Sequence, residues 1–323
     1  MRDAAVHPVA ARAFAALDAA GVRWLLLRGE RTLAAPPHDL DLLVDPRDAT
    51  RLPTVLAPLG FAPLPTWARA SHRFYVAYDE ELADWMQLDV VTELAYGTHY
   101  AVRLATADAA LAERRRTGTL WTLAPGDGFW TLLLHCVLDR GSISRAQAGR
   151  LRELAGAGGR SALVARLVRE EERIVVAAAL AGDTALLLGF RRAWLRRAAR
   201  ARPWASGRRL LVGAFQWRVH RLHVALRTRG PRVRLVGPPA ATAAAAAAVE
   251  RTFRLPTRVI RARRGGVAAL AHQALGRLVI VDGPTRGRCD LVLEVGEPVQ
   301  VAPINARIWG IYRGRWLREA GRA

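Results

Sequence analysis

Three carboxylates stand out by type and spacing. Asp39 and Asp41 share the run DLDLLV, and Asp89 lies between apolar residues in QLDVV. In a strand, residues two apart project to one face. Asp39 and Asp41 therefore stand side by side, and such a pair repels itself until cations neutralise it. Carboxylate oxygens are hard donors that suit magnesium. A third acid from a neighbouring strand, Asp89, would complete a site for divalent metal. Upstream, LLLRG ends in Gly29, with nine residues between it and Asp39. Arg28, Arg31, Arg69 and Arg73 are candidate phosphate partners, because a guanidinium matches phosphate geometry. A lone acid–apolar–acid pair is common in solvated turns; the trio with its glycine is more specific.

Alternating strands and helices must position these groups. Residues 8–20 read as an amphipathic helix stopped at Gly21. Residues 22–28 and 39–44 are apolar runs of strand length. Asp45-Pro46 predicts a helix start, running toward Leu59. Residues 73–78 and 86–92 read as further strands, so an α/β (α+β) domain with a mixed sheet is expected over residues 1–100. From about 100 to 226 the pattern is helical, with helices predicted at 129–140, 144–154, 161–179 and 185–200. His135 and Cys136 fall on the apolar face of the first and read as a buried structural pair. His72 precedes the strand at 73–78 near the site and reads as a surface residue, with contact to substrate as the alternative. After Gly230 come strands at 232–236, 277–281 and 290–295 with an alanine tract between. The expected organisation is 1–100, a helical region 101–229, and a small α/β unit 230–323.

The site motifs resemble the nucleotidyltransferase fold shared by DNA polymerase beta and the small antibiotic nucleotidyltransferases. That family carries a strand ending in Gly-Ser or Gly-Gly, an acid–apolar–acid pair about ten residues on, then a single acid between apolar residues. LLLRG, DLDLLV and QLDVV follow that order, over roughly residues 8–100. The resemblance implies that Asp39, Asp41 and Asp89 hold two Mg2+ ions. It implies that Arg28, Gly29 and Arg73 meet an NTP co-substrate, and that an acceptor hydroxyl of unknown identity attacks the α-phosphate. Glu30 stands where the family has Ser or Gly. Residues 230–323 resemble a thymidylate-kinase-like P-loop domain in degenerate form. RVRLV precedes GPPAATAA, with Gly237 and Pro238 matching, but Thr242, Ala243 and Ala244 stand where the second Gly, the Lys and the Ser or Thr belong. Gly283 replaces a later Arg. Alanine supplies neither charge to phosphate nor a hydroxyl to magnesium.

Charge is unevenly divided. Residues 1–100 hold 9 Arg against 13 acids, whereas the remainder holds 40 Arg against 15, and the chain has no Lys. The Arg-rich stretch 191–234, interleaved with Trp194, Trp204 and Trp217, reads either as compositional bias on a solvated basic helix face or as a surface for an acidic partner: nucleic acid, anionic lipid or polyphosphate. A catalytically inactive scaffold that holds such a partner is the alternative to an enzyme. Cys136 and Cys289 are too far apart in sequence for a thiolate zinc site or a disulfide framework. No apolar run reaches the ~18 residues of a spanning helix, and the N-terminus lacks a signal-peptide core. A cytoplasmic protein is expected.

Overall fold

The computed structural model describes residues 6–28, 33, 39–64, 71–158, 161–168, 171–227, 230–253, 259–262, 272, 277–281 and 289–320. The chain is mixed α/β and divides into two compact units. The first comprises 1–55, 68–73 and 88–217; the second comprises 56–67, 74–87 and 218–323.

In the first unit, α1 (Pro8–Ala19) precedes β1 (Trp24–Leu26) and β2 (Leu40–Val44). The strand pair is antiparallel, with Leu25 opposite Leu43. The expected helix at Asp45 is displaced: α2 spans only Leu52–Leu56. Asp45 instead folds a turn, accepting from the Arg47 amide and ion-pairing with Arg23 at 2.9 Å. Its side chain is committed to the turn, and Pro53 then sits in the first helical turn, where proline is tolerated. Next along the chain come β3 (Ala62–Pro63) and β4 (His72–Asp79), which fall in the second unit apart from residues 72 and 73, and β5 (Asp84–Val91), whose residues from 88 on fall in the first. The seven-stranded sheet has the order β3-β4-β5-β2-β1-β9-β8, where β8 is Arg115–Thr117 and β9 is Leu120–Thr122. A two-stranded ribbon, β6 (Glu93–Tyr96) with β7 (Val102–Thr106), follows β5.

The region expected to be helical from residue 100 thus begins with strands β7 to β9, which are short and broken by α3 (Ala107–Ala112). Helices dominate only from α4 (Pro125–Leu134), which continues as a π-helical turn, His135–Arg140. Then come α5 (Arg145–Gly156), α6 (Ala165–Val168), α7 (Glu172–Ala181), α8 (Thr184–Gly189), α9 (Arg191–Ala201) and α10 (Pro203–Arg227). Ser144 and Gln147 form a reciprocal capping box at the start of α5, which satisfies two amides that have no partner inside the helix. These helices bury Trp130, Phe129 and Trp194 in a core that also takes Leu25, Leu43 and Val91 from the sheet.

The second unit contains a parallel sheet of order β11-β12-β10-β13, formed by β10 (Arg232–Val236), β11 (Val259–Ala262), β12 (Leu278–Val281) and β13 (Leu291–Glu294). Helices α11 (Pro239–Thr252) and α12 (Val301–Ala320) pack on it. The tip of the β4–β5 pair belongs to this core. Trp85 is 5 % exposed and meets Phe253 and Trp309 edge-on, with its indole N–H donated to the Thr252 carbonyl.

Candidate active site

The acid cluster is a consequence of strand register. β2 and β5 are parallel neighbours in which Asp41 lies directly opposite Asp89. Side chains at matched register share a face, and Asp39 shares it by the two-residue period. One ligand oxygen from each of Asp39, Asp41 and Asp89 can be chosen so that all lie within 4.8 Å of one another. Further along the same face come Leu43 and Val91, both in the helical core. The carboxylates therefore sit where that apolar layer runs out. Burial increases across the set: Asp39 is exposed, Asp41 intermediate, and Asp89 only 9 % exposed.

Two of the acids already have cationic or potentially cationic neighbours. Arg28 lays Nη2 and Nε on Asp41 Oδ2, at 2.9 and 3.1 Å. Burial works against the Arg28 charge, but the carboxylate of Asp41, joined by that of Asp139, outweighs it and raises the guanidinium pKa. His72 Nδ1 lies 2.8 Å from Asp89 Oδ1. This histidine is buried, contrary to the surface placement expected from sequence. It opens β4, next to β5, and strand alternation turns it onto the acid face. The same alternation turns Arg73 away: it is exposed, and its guanidinium donates to the Ala49 carbonyl at 2.8 Å. Of the expected phosphate ligands, then, Arg28 lies at the acids and Arg73 does not. Gly29, Glu30, Arg31 and Arg69 lie outside the described residues.

The acids open into a cavity of about 1970 Å³ in the first unit. Most of its other walls come from residues to which the sequence assigned no role in the site. Glu93, 8 % exposed, lies between two arginines, with Arg103 Nε and Arg209 Nη2 each 2.8 Å from its oxygens. His99 and Tyr100 have φ of 55° and 56°. Consecutive non-glycine residues in the left-handed region cost on the order of 1–2 kcal/mol each. The strained turn stacks Tyr100 on His72, with ring centroids 4.2 Å apart, and leaves the Tyr100 carbonyl to accept from Arg209 at 3.0 Å. Across the cavity, Cys136 is buried as expected, whereas His135 is only partly buried and lines the cavity wall. Its Nδ1 lies 2.9 Å from Asp139 Oδ2, and Arg140 Nε donates to its Nε2. Asp139 Oδ1 accepts the Gly97 amide at 2.5 Å. Burial pushes the Tyr96 phenol pKa well up, so it stays protonated.

Chemically, the trio is an all-oxygen donor set beside a roomy cleft. It fits a divalent ion such as Mg2+, which favours carboxylates and keeps several waters.

The loop after β10 was expected to be a degenerate P-loop. Gly237 has φ +153°, and a Cβ there would overlap the Val295 carbonyl oxygen, so the turn requires glycine. Pro238 caps α11 and Pro239 opens it. Neither has an N–H, so two of the amides that a helix start would turn toward phosphate are missing. Thr242 Oγ1 is spent on the Pro239 carbonyl at 3.1 Å, and Ala243 and Ala244 bring neither cation nor hydroxyl. Gly283 is outside the described residues.

Against these features, comparison with family models, with curated proteins and with solved structures returned no match for this chain.

Proposed function

We propose that this chain is a metal-dependent nucleotidyltransferase, which transfers a nucleoside monophosphate from an NTP to an acceptor hydroxyl. The observation that carries the reading is the register of Asp41 against Asp89, with all three acids able to offer oxygens within 4.8 Å of one another. Asp39, Asp41 and Asp89 would hold the divalent ions. When bound, a metal pair supplies charge neutralisation and alignment for in-line displacement.

The residues of the chain do the rest. Arg28 leaves Asp41 and turns its fork onto a phosphate oxygen. Asp89, the most buried acid, takes the proton from the acceptor O–H. The acceptor oxygen bonds to the α-phosphorus as the bond to the bridging oxygen breaks, and pyrophosphate leaves. His72, fixed by Tyr100, orients Asp89 through the 2.8 Å contact.

One observation favours the alternative of an inactive scaffold. Arg28 and His72 already engage two of the three acids, as they would in a purely structural cluster.

The test is magnesium-dependent NTP binding by thermal shift, then pyrophosphate release over a panel of acceptors, for wild type and Asp41→Asn. Loss of one metal-holding charge should cost on the order of a hundredfold in rate. Equal activity in both proteins sinks the mechanism. Absence of both magnesium-dependent NTP binding and transfer in the wild type favours the scaffold.

A further inference from the structure

Helix α10 has two opposed faces. Ser206, Arg209 and Gly213 follow the i, i+3, i+7 spacing of one face. Ser206 Oγ donates to the Ala101 carbonyl at 3.2 Å, and Arg209 donates to the Tyr100 carbonyl at 3.0 Å. A Cβ at Gly213 would lie 2.5 Å from His99 Cβ, so helix and turn are in close contact there. Roughly opposite, Trp204, Arg208, Leu211 and Phe215 fall within an arc of about 60° at 3.6 residues per turn. Trp204 is 91 % exposed, Leu211 75 % and Phe215 61 %, while Val212 at the flank of the arc is 43 % exposed and Leu210, on the other side of the helix, 41 %. Single exposed apolar residues need no explanation, but five within twelve positions of one helix do.

Charge identifies the occupant. From 191 to 227, covering α9 and α10, the sequence holds 11 Arg and not one Asp or Glu. Arg192, Arg196, Arg200, Arg202 and Arg208 are exposed. A helix with an apolar stripe of Trp, Leu and Phe, set in an Arg-rich stretch free of acids, matches the interface of an anionic bilayer. There the apolar side chains enter the acyl boundary and the guanidinium groups meet phosphate. Nucleic acid would satisfy the arginines and aromatic stacking could use Trp204. It would leave Leu211, at the centre of the stripe, in water. A second copy of this chain would bring the same positive charge against itself. No helix among the described residues is long and apolar enough to cross a membrane, so the contact lies on the surface.

We infer that α10 docks this protein on anionic phospholipid membranes through Trp204, Leu211 and Phe215, with Arg202 and Arg208 on headgroup phosphate. The inference is independent of the chemistry proposed for the acid cluster.

The test uses the full-length chain in vesicle flotation, with phosphatidylcholine alone against phosphatidylcholine mixed with phosphatidylglycerol. Binding is expected only to the anionic vesicles. A Trp204→Ser, Leu211→Ser, Phe215→Ser triple variant should bind on the order of tenfold or more weakly, from the lost apolar burial. Arg208→Ala should lose about fivefold. All these side chains are exposed, so the melting temperature should hold, which separates lost docking from unfolding. Lipids brominated on the acyl chain should quench wild-type tryptophan fluorescence more than that of Trp204→Phe. Several outcomes overturn the inference: no preference for anionic vesicles, unchanged binding by the triple variant, or quenching that does not depend on Trp204. Displacement of the vesicles by single-stranded RNA with the triple variant retaining full RNA affinity overturns it in favour of nucleic acid. A dimer in light scattering that the triple variant dissociates overturns it in favour of self-association.

Discussion

Arg28→Gln tests the electrostatics of the acid cluster directly, because metal and nucleotide should respond with opposite signs. In the wild type the Arg28 guanidinium sits 2.9 Å from Asp41 Oδ2, and both side chains are about three-quarters shielded from water. Two carboxylates with oxygens within 4.8 Å repel by roughly 3–4 kcal/mol at an effective dielectric of about 20. A hydrogen bond to a charged group returns about 1.5–3 kcal/mol. Removing the guanidinium while keeping a polar side chain should therefore destabilise the metal-free protein by about 2–3 kcal/mol. The same guanidinium opposes an incoming divalent cation. A unit charge and a double charge roughly 5 Å apart repel by about 1.7 kcal/mol even at the dielectric of water. Magnesium alone should bind Arg28→Gln about tenfold or more tightly, and should restore much of the lost stability. Magnesium–NTP should bind more weakly than to the wild type, because the fork that would hold phosphate is gone. Arg28 remains charged at any accessible pH, since its pKa is raised, so the contrast should persist across neutral and mildly alkaline buffers. The assay is calorimetric titration with MgCl2, then with NTP at saturating magnesium, alongside melting curves. Unchanged or weaker magnesium affinity in Arg28→Gln would refute the view that these acids form a cation site held closed by arginine.

Two further outcomes are expected. Trp85→Ala should cost about 3–5 kcal/mol, and deletion of 230–323 should give an aggregating product, because either change opens the core shared by Trp85, Phe253 and Trp309; a soluble truncation with a wild-type-like melting transition would contradict this. Burial pushes the Cys136 thiol up to about 11 from an ordinary 9.0, so it should resist alkylation at neutral pH in the folded protein while Cys289, which is partly exposed, reacts. The folded-state pKa lies above the unfolded one, so the contribution of Cys136 to stability is complete below about pH 9 and is lost between 9 and 11. Cys136→Ala should remove that part of the alkaline decline in melting temperature.

The acids were legible because strand periodicity is short-range and strict. Two residues in DLDLLV fix a common face, and an acid flanked by apolar residues in QLDVV needs only a neighbouring strand of the right register. The helix expected at Asp45 failed because a capping-type side chain serves a turn equally well, and here it pairs with Arg23 across 22 residues. The short strands between 102 and 122 were missed because strands of three to five residues carry too few alternations to stand out. Arg73 and His72 show the limit most clearly. Adjacent residues in one strand face opposite ways, so a shift of one position in the assumed strand start exchanges a site residue for a surface one. The strand was expected from Arg73 and begins at His72. The walls of the cavity were invisible for a different reason: Arg103 and Arg209 are two of 49 arginines, and nothing in the sequence pairs them with Glu93.

That pairing bears on how the arginine excess is used. Within the first unit, several arginines are spent inside the protein. Arg28 is on Asp41, Arg103 and Arg209 are on Glu93, and Arg197 is on Glu171. Each such pair is partly buried, so removing one partner leaves an uncompensated charge, which is costly. Arg103, Arg209 and Arg197 are structural in this sense, and Arg28 is held on Asp41 in the metal-free protein. The exposed ones on α9 and near the start of α10 have no acid within their own helices to pair with, and Arg208 lies on the arc of the apolar stripe of Trp204, Leu211 and Phe215. A biased composition would raise arginine content everywhere. It would not by itself sort arginines into paired positions beside the cleft and acid-free positions around an exposed apolar face. Helix α10 carries both: Arg209 is locked to Glu93 and the Tyr100 carbonyl on one side, while Arg208 is exposed on the other. Arg209→Ala should therefore lower the melting temperature without weakening vesicle binding, and Arg208→Ala should do the reverse. Loss of both properties in either variant would show that the two faces of α10 do not act separately.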